Sequence, residues 1–305
     1  MPASKDKILF VSDSYLKSIT TFEIPEGITE FATSISNYNN ITKLVIPISL
    51  TSLENANYLP TSISEIEVKD GNNKYIVDSN YKILYTKDTK ELAICYSKEE
   101  TINLKDENNE LGILKLSAFS FKQATNAKNI ILPDSLTSIE SQVFNNCKNI
   151  QEIKMGKNVN NIDSLFKYSN FSGIVTIDAG NENYVVENNV LYTKKEPKTL
   201  VTVLYLIDGE VVIDSSVKEI GTLAFHNQNK MTSVIIPDSE TKINSSFNYC
   251  QGLVSIEIPR SVESIDGNCF SNCSNLDKVT FYNEKLLETA PWGATKGDKV
   301  IDFKG

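Results

Sequence analysis

The chain has 305 residues and a formal net charge of −9, from 30 Lys and Arg against 39 Asp and Glu. Its 40% hydrophobic and 23% charged residues are typical of a folded, soluble chain rather than a disordered one. The acidic balance and a single arginine, Arg260, exclude nucleic acid as an expected partner, because phosphate would be repelled over most of the surface. No apolar run approaches the roughly 18 residues that a membrane-spanning helix needs.

The first 15 residues precede the repeating part of the sequence. Residues 1–15 are predicted to form a frayed or capping segment. They lack the basic, apolar and small-residue regions of a secretory leader. The protein is therefore either cytoplasmic or a secreted chain whose leader is missing from this sequence.

From residue 16 the sequence repeats with a period of 22 or 23 residues. A run of alternating apolar residues ends in proline, and further apolar residues follow three and six positions later. The prolines are Pro25, Pro47, Pro133, Pro237 and Pro259. This proline marks the same place in each repeat, and Gly156 takes its position in one of them. An aromatic residue stands ten or eleven positions past this marker, at Phe144, Phe166, Phe247 and Phe270. Each unit predicts one short strand, a turn and a second short apolar run, with equivalent strands pairing in parallel between stacked units.

Two lengthened units interrupt this period, near residues 69–98 and 178–205. They resemble each other, since Gly71 and Tyr75 of the first match Gly180 and Tyr184 of the second. In the second, runs rich in Tyr and Val flank an Asn-rich centre, which predicts a β-hairpin projecting from the stack. The tyrosines of these inserts either pin the hairpins to the solenoid, the preferred interpretation, or form an interface. They are Tyr75, Tyr85, Tyr184 and Tyr192.

A period of 22–23 lies in the range of leucine-rich repeats. The strings LVSIEIPRSVESIDGNCFSNCSNL (253–276) and NIILPDSLTSIESQVFNNCKNI (129–150) resemble BspA-type (LRR_5-type) leucine-rich repeats. The resemblance implies a right-handed superhelical solenoid over residues 16–281, made mostly of short strands and turns with few helical turns. The stretch APWGATKGDKVIDFKG resembles the terminal cap of such arrays, so residues 282–305 are expected to cap the solenoid around Trp292.

The same resemblance implies a function. Proteins of this family occur mostly on the surfaces of host-associated bacteria, and those that act as adhesins bind host matrix and plasma proteins. We therefore expect a non-enzymatic, monomeric module at the cell surface or secreted, without a cofactor, whose partner is a host or matrix protein or a glycan. A cytoplasmic location stays open. The alternatives are a spacer that displays another domain and, more weakly, a carboxylate-dependent enzyme such as a glycosidase.

The outward positions of the repeated strands are the candidate binding surface. Side chains alternate across a strand, so the residues between the bulky inward positions face outward and line up as a ribbon. In leucine-rich repeats such a ribbon is the concave face. Of these outward residues, Val45, Ile131 and Ile235 are apolar, which is consistent either with a contact surface or with ordinary isolated exposure. The candidate residues are Lys43, Val45, Asn129, Ile131, Glu152, Lys154, Ser233, Ile235, Ser255 and Glu257.

The residues that most often carry chemistry have simpler interpretations here. Cys147, Cys250 and Cys273 share one repeat position and are interpreted as small buried side chains. A Cys250–Cys273 bridge between adjacent coils stays open, although parallel Cβ vectors disfavour it. No Cys-x-x-Cys occurs and the chain has one histidine, so no metal site is predicted. His226 follows the core residue Phe225 and is expected to point to solvent at a turn.

Two aspartates precede the matched glycines of the inserts. Asp70 and Asp178 would be candidate carboxylates for a glycosidase. Asp and Asn beside Gly are better explained as turn residues, because their side chains bond the backbone and Gly supplies a positive φ. No catalytic residue is therefore predicted.

Overall fold

The computed structural model describes most of the chain, in two compact units of residues 1–171 and 172–305. Each unit is a β-solenoid with few helical turns. Residues 1–10 of the predicted capping segment and Phe166 of the predicted aromatic column lie outside the described residues. The described ranges are 11–53, 56–105, 111–162, 171, 173–204, 206–239 and 242–305.

The first unit contains, among its described residues, the α-helix α1 (Asp13–Ser18) and a 3-10 helix (Ala56–Tyr58). Its strands are β1 (Thr21–Glu23), β2 (Glu30–Phe31), β3 (Lys43–Ile46), β4 (Ser52–Leu53), β5 (Glu65–Val68), β6 (Tyr75–Asp78), β7 (Ile83–Thr86), β8 (Glu91–Cys95), β9 (Thr101–Asn103), β10 (Lys115–Leu116), β11 (Asn129–Ile131), β12 (Ser138–Ile139), β13 (Glu152–Met155) and β14 (Asn161–Ile162).

The second unit contains, in its described part, 3-10 helices at Glu284–Glu288 and Gly297–Val300. Its strands are β15 (Ile174–Ile177), β16 (Tyr184–Glu187), β17 (Val190–Thr193), β18 (Thr199–Val203), β19 (Gly209–Val212), β20 (Glu219–Ile220), β21 (Met231–Ile235), β22 (Lys242–Ile243), β23 (Ser255–Ile258), β24 (Ser264–Ile265), β25 (Lys278–Phe281) and β26 (Ile301–Phe303).

The longer strands that end near the Pro marker pair in parallel, as the period predicts. Phe22 of β1, Leu44 of β3 and Ile66 of β5 stand in register, and all three are buried. The strands β9, β11 and β13 pair in the same way in the first unit. In the second unit the order is β19, β21, β23, β25 and β26. Repeating the same inward position every 22–23 residues therefore builds one column of the core per position.

The second apolar run of each repeat forms a strand of only two residues. Ile139 of β12 is in register with Leu116 of β10 and with Ile162 of β14. In the second unit, Ile220 and Ile243 stand in the equivalent register. These are the residues six positions past the marker or their equivalents, so the prediction of a second short run is confirmed.

The predicted aromatic column is a continuous stack in the second unit. Phe247 is fully buried between Phe225, 5.0 Å away between ring centroids, and Phe270, 5.9 Å away. The planes are nearly parallel, at 17° and 13°. In the first unit, Phe144 is likewise buried with its ring centroid 5.2 Å from that of Phe121.

Trp292 closes this stack in the C-terminal segment. Its ring is buried and meets Phe270 and Phe281 edge-on, at 6.3 and 5.4 Å between centroids. The indole Nε1 donates a hydrogen bond to Thr289 at 2.9 Å, so the buried polar atom is satisfied. Strand β26 pairs in parallel with β25 and covers the last repeat.

Helix α1 performs the corresponding role at the N-terminal side of the first unit. Ser12 caps the helix by accepting a hydrogen bond from the Tyr15 amide, and Leu16 enters the hydrophobic core. Asn40 donates to the carbonyls of Leu16 and Ile19 at the C-terminal end of the helix. These contacts tie the helix to the first repeat.

Both inserts are antiparallel meanders of three strands rather than projecting hairpins. The predicted hairpin of the second insert is present as β16 and β17, which are joined by Asn188 and Asn189 with positive φ at both positions. This is the backbone of a type I′ turn. A third strand, β18, pairs antiparallel with β17 and then parallel with β20. Since β8 does the same with β7 and β10, each insert lies in the sheet of two-residue strands, and the projecting arrangement is wrong.

One buried asparagine attaches the first insert. Asn72 donates its side-chain amide to the carbonyls of Pro47, at 2.7 Å, and Leu50, at 3.0 Å. Its Oδ1 accepts the backbone amides of Lys74, at 2.9 Å, and Tyr75, at 2.8 Å. The side chain thereby satisfies backbone groups of the preceding coil and of the insert together.

The second insert repeats half of this arrangement in the described residues. Asn181 is buried, and its Oδ1 accepts the amides of Asn183 and Tyr184, each at 2.8 Å. Matched lysines contact the carbonyls of these asparagines, Lys87 that of Asn72 and Lys194 that of Asn181. The similarity between the two inserts is therefore structural.

The insert tyrosines mainly pin the inserts. The Tyr75 hydroxyl accepts the Leu53 amide at 2.7 Å, and burial raises the pKa of Tyr75 to about 12. Tyr85 and Tyr192 are also buried, while Tyr184 is half-buried. The Lys198 ammonium lies 4.6 Å from the centroid of the Tyr192 ring. The pinning interpretation is confirmed for Tyr75 and Tyr192, which belong to the hydrophobic cores of the two units.

Candidate binding surface

The outward strand residues stand in register and form three ribbons. The first ribbon, on β1, β3 and β5, consists of Thr21, Glu23, Lys43, Val45, Glu65 and Glu67. The second ribbon, on β9, β11 and β13, consists of Thr101, Asn103, Asn129, Ile131, Glu152 and Lys154. The third ribbon, in the second unit on β19, β21, β23 and β25, consists of Glu210, Val212, Ser233, Ile235, Ser255, Glu257, Lys278 and Thr280.

The first ribbon is covered by its own ion pairs. Lys43 contacts Glu65 at 2.8 Å and Glu67 at 2.9 Å, and Lys69 contacts Glu23 at 2.5 Å. Hydrogen bonds to Glu65 and Glu67 raise the pKa of Lys43 above its usual range, and the same contact lowers the pKa of Glu67. A partner would have to compete with these contacts, so this ribbon is a poor candidate for binding.

Val45 corrects one expectation about the first ribbon. Its side chain is only 7% exposed, although it occupies an outward position. It stands in register between Glu23 and Glu67, whose longer side chains flank it on the neighbouring strands. Lys69, bound to Glu23, adds to this layer. The expectation of an exposed Val45 is wrong because charged neighbours cover it.

The second ribbon is mixed and mostly polar. Asn129 contacts Thr101 at 3.3 Å, and Lys154 contacts Glu152 at 3.4 Å. Ile131 stands in register between Asn103 and Lys154 and is half-buried. Its aliphatic surface is therefore isolated and smaller than the alternation predicts.

The third ribbon has an exposed apolar centre. Val212 and Ile235 stand directly in register on β19 and β21, and their side chains are 67% and 47% exposed. The inward neighbours Val211 and Val234 pack against the core, so the outward pair forms an aliphatic surface on the opposite side of these strands. Adjacent exposed aliphatic side chains are a feature of contact surfaces rather than of ordinary scattered exposure.

A groove of about 430 Å³ lies beside Ile235. The Tyr282 hydroxyl donates to Glu257 at 2.7 Å, which raises the pKa of Tyr282. Arg260 follows Pro259 in the turn after β23, and its backbone carbonyl accepts the Asn283 side-chain amide at 3.2 Å. Its guanidinium forms no ion pair or hydrogen bond with the described residues. The groove is lined by Val234, Ile235, Ile236, Asp238, Glu257, Pro259, Arg260 and Tyr282.

The structure thus brings four predicted residues, Ser233, Ile235, Ser255 and Glu257, onto one surface with residues that the sequence analysis missed. Val212 was missed because its strand has no Pro marker to set the register. Arg260 and Tyr282 were missed because they follow the strands rather than belong to them. Their residue types were a signal, since Arg and Tyr are enriched among residues that dominate binding energies.

The cysteines are structural. All five are free and buried, so Cys250 and Cys273 are not bridged. The thiols of Cys147, Cys250 and Cys273 donate to the carbonyls of Phe121, Phe225 and Phe247 in the preceding coil, at 3.2, 2.9 and 3.0 Å. Burial raises the pKa of Cys147 to about 12 and that of Cys273 to about 11, which suppresses the reactive thiolate.

The remaining candidates for chemistry have structural surroundings. His226 is half-buried and packs edge-on against Tyr249, at 5.4 Å between centroids, so the expectation that it simply points to solvent is wrong. Asp178 accepts the Gly180 amide at 2.8 Å, as a turn residue does. In the described ranges, no three His, Cys, Asp or Glu side chains are grouped to hold a metal ion. None of the described helices has the length and apolarity to cross a membrane.

Comparison of the sequence with protein families gives one match. The family described as BspA type Leucine rich repeat region matches in six copies, over residues 14–84, 89–198 and 209–293. These ranges include the outward strands of all three ribbons. No curated protein matches the chain.

Several solved structures are similar. A leucine-rich repeat protein from Eubacterium ventriosum is 22% identical with a TM-score of 0.49, and the match covers 83% of this chain and 64% of that one. A leucine rich cell surface protein from Faecalibacterium prausnitzii is 19% identical with a TM-score of 0.46, covering 86% and 88%. The pneumococcal vaccine antigen PcpA is 14% identical with a TM-score of 0.46, covering 93% and 84%. The chain thus spans less than two thirds of the first of these proteins.

Proposed function

The chain belongs to the BspA-type leucine-rich repeat family, and we propose that it is a non-enzymatic module that binds a protein through its third ribbon. We propose further that the partner is a host matrix or plasma protein and that the module acts, as a monomer, at the cell surface or after secretion. The resemblance to adhesins of this family supports the partner class and the location.

The adjacent exposed pair of Val212 and Ile235 beside the groove is the observation that carries the proposal. Repeat stacking makes long exposed ribbons, and an apolar centre with polar edges is the usual anatomy of a protein contact. The first ribbon is instead occupied by its own ion pairs. An aliphatic centre also favours a protein over a glycan as the partner.

The test is a binding screen of the purified chain against immobilised matrix and plasma proteins at physiological salt. Ile235→Asp is expected to weaken a saturable contact by about 10-fold or more, because it places a charge in the apolar centre. Leu287→Asp is the matched control: Leu287 is 44% exposed, close to the 47% of Ile235, but lies on the 3-10 helix Glu284–Glu288 outside the ribbon. The control variant should bind like the original chain.

Two results would contradict the proposal. Binding with an affinity that is unchanged in Ile235→Asp but lost in Ile131→Asp would place the contact on the second ribbon. If no protein in the panel binds, the alternative function, a spacer that displays another domain, is favoured.

A further inference from the structure

The groove of about 430 Å³ combines an apolar wall with one guanidinium. Ile235, Ile236 and Pro259 supply aliphatic surface, and Ile235 is the exposed member of the three. Arg260 supplies the one guanidinium group of the whole chain. The volume lies in the range of about 300–1,000 Å³ that is typical of sites for small ligands.

Arg260 is the one cationic side chain that lines the groove, and its guanidinium is exposed. Among the described residues it has no carboxylate within ion-pair distance, whereas Lys278 of the same unit contacts Asp302 at 2.8 Å. Glu257, which also lines the groove, accepts the Tyr282 hydroxyl instead. A guanidinium presents donors in a planar fork that matches a carboxylate or a phosphate. The singly charged carboxylate suits this groove better, because two acidic side chains also line it.

The other charges of the groove restrict what can bring that carboxylate. Asp238 and Glu257 also line it, so a ligand with several acidic groups would be repelled. The ligand must therefore carry a single carboxylate close to an apolar group. The last residue of a polypeptide has both in one unit when its side chain is aliphatic or aromatic, and its charge is limited to one carboxylate.

We propose that this groove binds the C-terminus of a partner polypeptide that ends in an apolar residue. The terminal carboxylate pairs with Arg260, and the terminal side chain packs on Ile235 and Pro259. This assignment rests on the proposed protein-binding function and specifies which part of the partner the third ribbon contacts.

A peptide pair tests the carboxylate directly. The probes are an acetylated Ser-Gly-Ser-Gly-Leu peptide with a free C-terminal carboxylate and the same peptide with a C-terminal amide. Because the chain has one arginine, protein labelled with ¹⁵N-arginine gives a single side-chain Nε–Hε signal, which belongs to Arg260. The free carboxylate is expected to shift this signal saturably, and the amide is expected to bind about 10-fold more weakly or not at all.

Variants supply the second readout, by fluorescence polarisation with the labelled acid peptide. Arg260→Gln should weaken binding about 10-fold or more. The affinity of Arg260→Lys should lie between those of the original chain and Arg260→Gln, because lysine keeps the charge and loses the planar fork. Asp238→Asn should tighten binding, since it removes a repelling charge, an effect that a merely structural role would not produce. Leu287→Asp should leave it unchanged.

The proposal is overturned if the amide binds as tightly as the acid, if Arg260→Gln changes nothing, or if the Arg260 signal does not move. An amidated peptide with an internal Asp-Leu that binds as tightly as the acid would also overturn the chain-end assignment. A partner from the matrix panel that depends on Ile235 but not on Arg260 would keep the proposed function and remove this inference. Peptide binding without any partner in the panel would keep the C-terminus site and remove the proposed matrix or plasma partner.

Discussion

Phe247→Ala is expected to destabilise the second unit strongly, because Phe247 is the central ring of the aromatic stack. Its side chain is 0% exposed, with ring partners at 5.0 and 5.9 Å on either side. Truncating a fully buried phenylalanine costs about 3–5 kcal/mol, from lost transfer energy and from the cavity left behind. The neighbouring coils are hydrogen-bonded to each other, which limits how far the cavity can collapse, so the upper half of this range is expected.

Phe303→Ala is the matched control. Phe303 also has a ring partner, Phe281, at 5.3 Å, but it lies on the last strand and is 37% exposed. Its truncation removes one ring contact and leaves no closed cavity, so about 1 kcal/mol is expected.

The assay is denaturant unfolding followed by tryptophan fluorescence. Trp292 is the one tryptophan of the chain and packs edge-on against Phe270, so its emission reports on the unit that contains the stack. The free energy of unfolding should fall by at least about 2 kcal/mol more for Phe247→Ala than for Phe303→Ala. Equal losses for the two variants would refute the stacked arrangement.

Three further predictions concern the buried polar and thiol groups. Asn72→Ala should lower the free energy of unfolding by about 2–4 kcal/mol, because it leaves buried backbone groups unpaired. The control Asn126→Ala, at an exposed asparagine, should lower it by less than about 1 kcal/mol. Similar losses for the two variants in denaturant unfolding would contradict the attachment role of Asn72. Thiol titration should find no rapidly reacting cysteine in the native chain and five after unfolding without reductant, and three would indicate a bridge. Burial raises the pKa of Cys95 and Cys269 to about 12. The contribution of these protonated thiols to the free energy of unfolding should therefore be fully present below the unfolded thiol pKa of about 8.5 and be lost as the pH rises towards 12. A melting temperature that is unchanged between pH 9 and 11 would contradict this.

The solenoid could be predicted from the sequence because its constraints recur. Phe22, Leu44 and Ile66 are 22 residues apart and stand in register, so one period gives strand, direction and core column together. The same holds for the stacked Phe247 and Phe270. A position that repeats many times is recognisable even where single residues vary.

The inserts were predicted less completely because their third strands break the period. The type I′ turn at Asn188 and Asn189 has a local signature, which explains why the hairpin was found. The pairing of β18 with β20 depends on a contact between different coils, for which the hairpin pattern gives no signal. The role of Asn72 likewise has no local sequence signal, since the carbonyl groups that it bonds lie more than 20 residues earlier.

The sequence predicted which side chains of the candidate site face outward, but not which of them are exposed. Alternation placed Ile235 and Glu257 outward, and the structure agrees. Alternation treats every outward residue alike, however, and exposure depends on neighbours in other repeats. Glu23 and Glu67 cover Val45, whereas one register partner of Ile235 is the aliphatic Val212, and Ile235 stays 47% exposed.

The central claim is that the third ribbon of the second unit is the contact surface, and hydrogen–deuterium exchange of the chain with and without a partner from the matrix panel tests it most directly. We predict that a partner slows exchange in peptides that cover β19, β21 and the turn at Pro259 and Arg260, and that exchange in peptides that cover β1, β3 and β5 stays unchanged. Protection confined to the first ribbon, or to the inserts at β6–β7 and β16–β17, would contradict it.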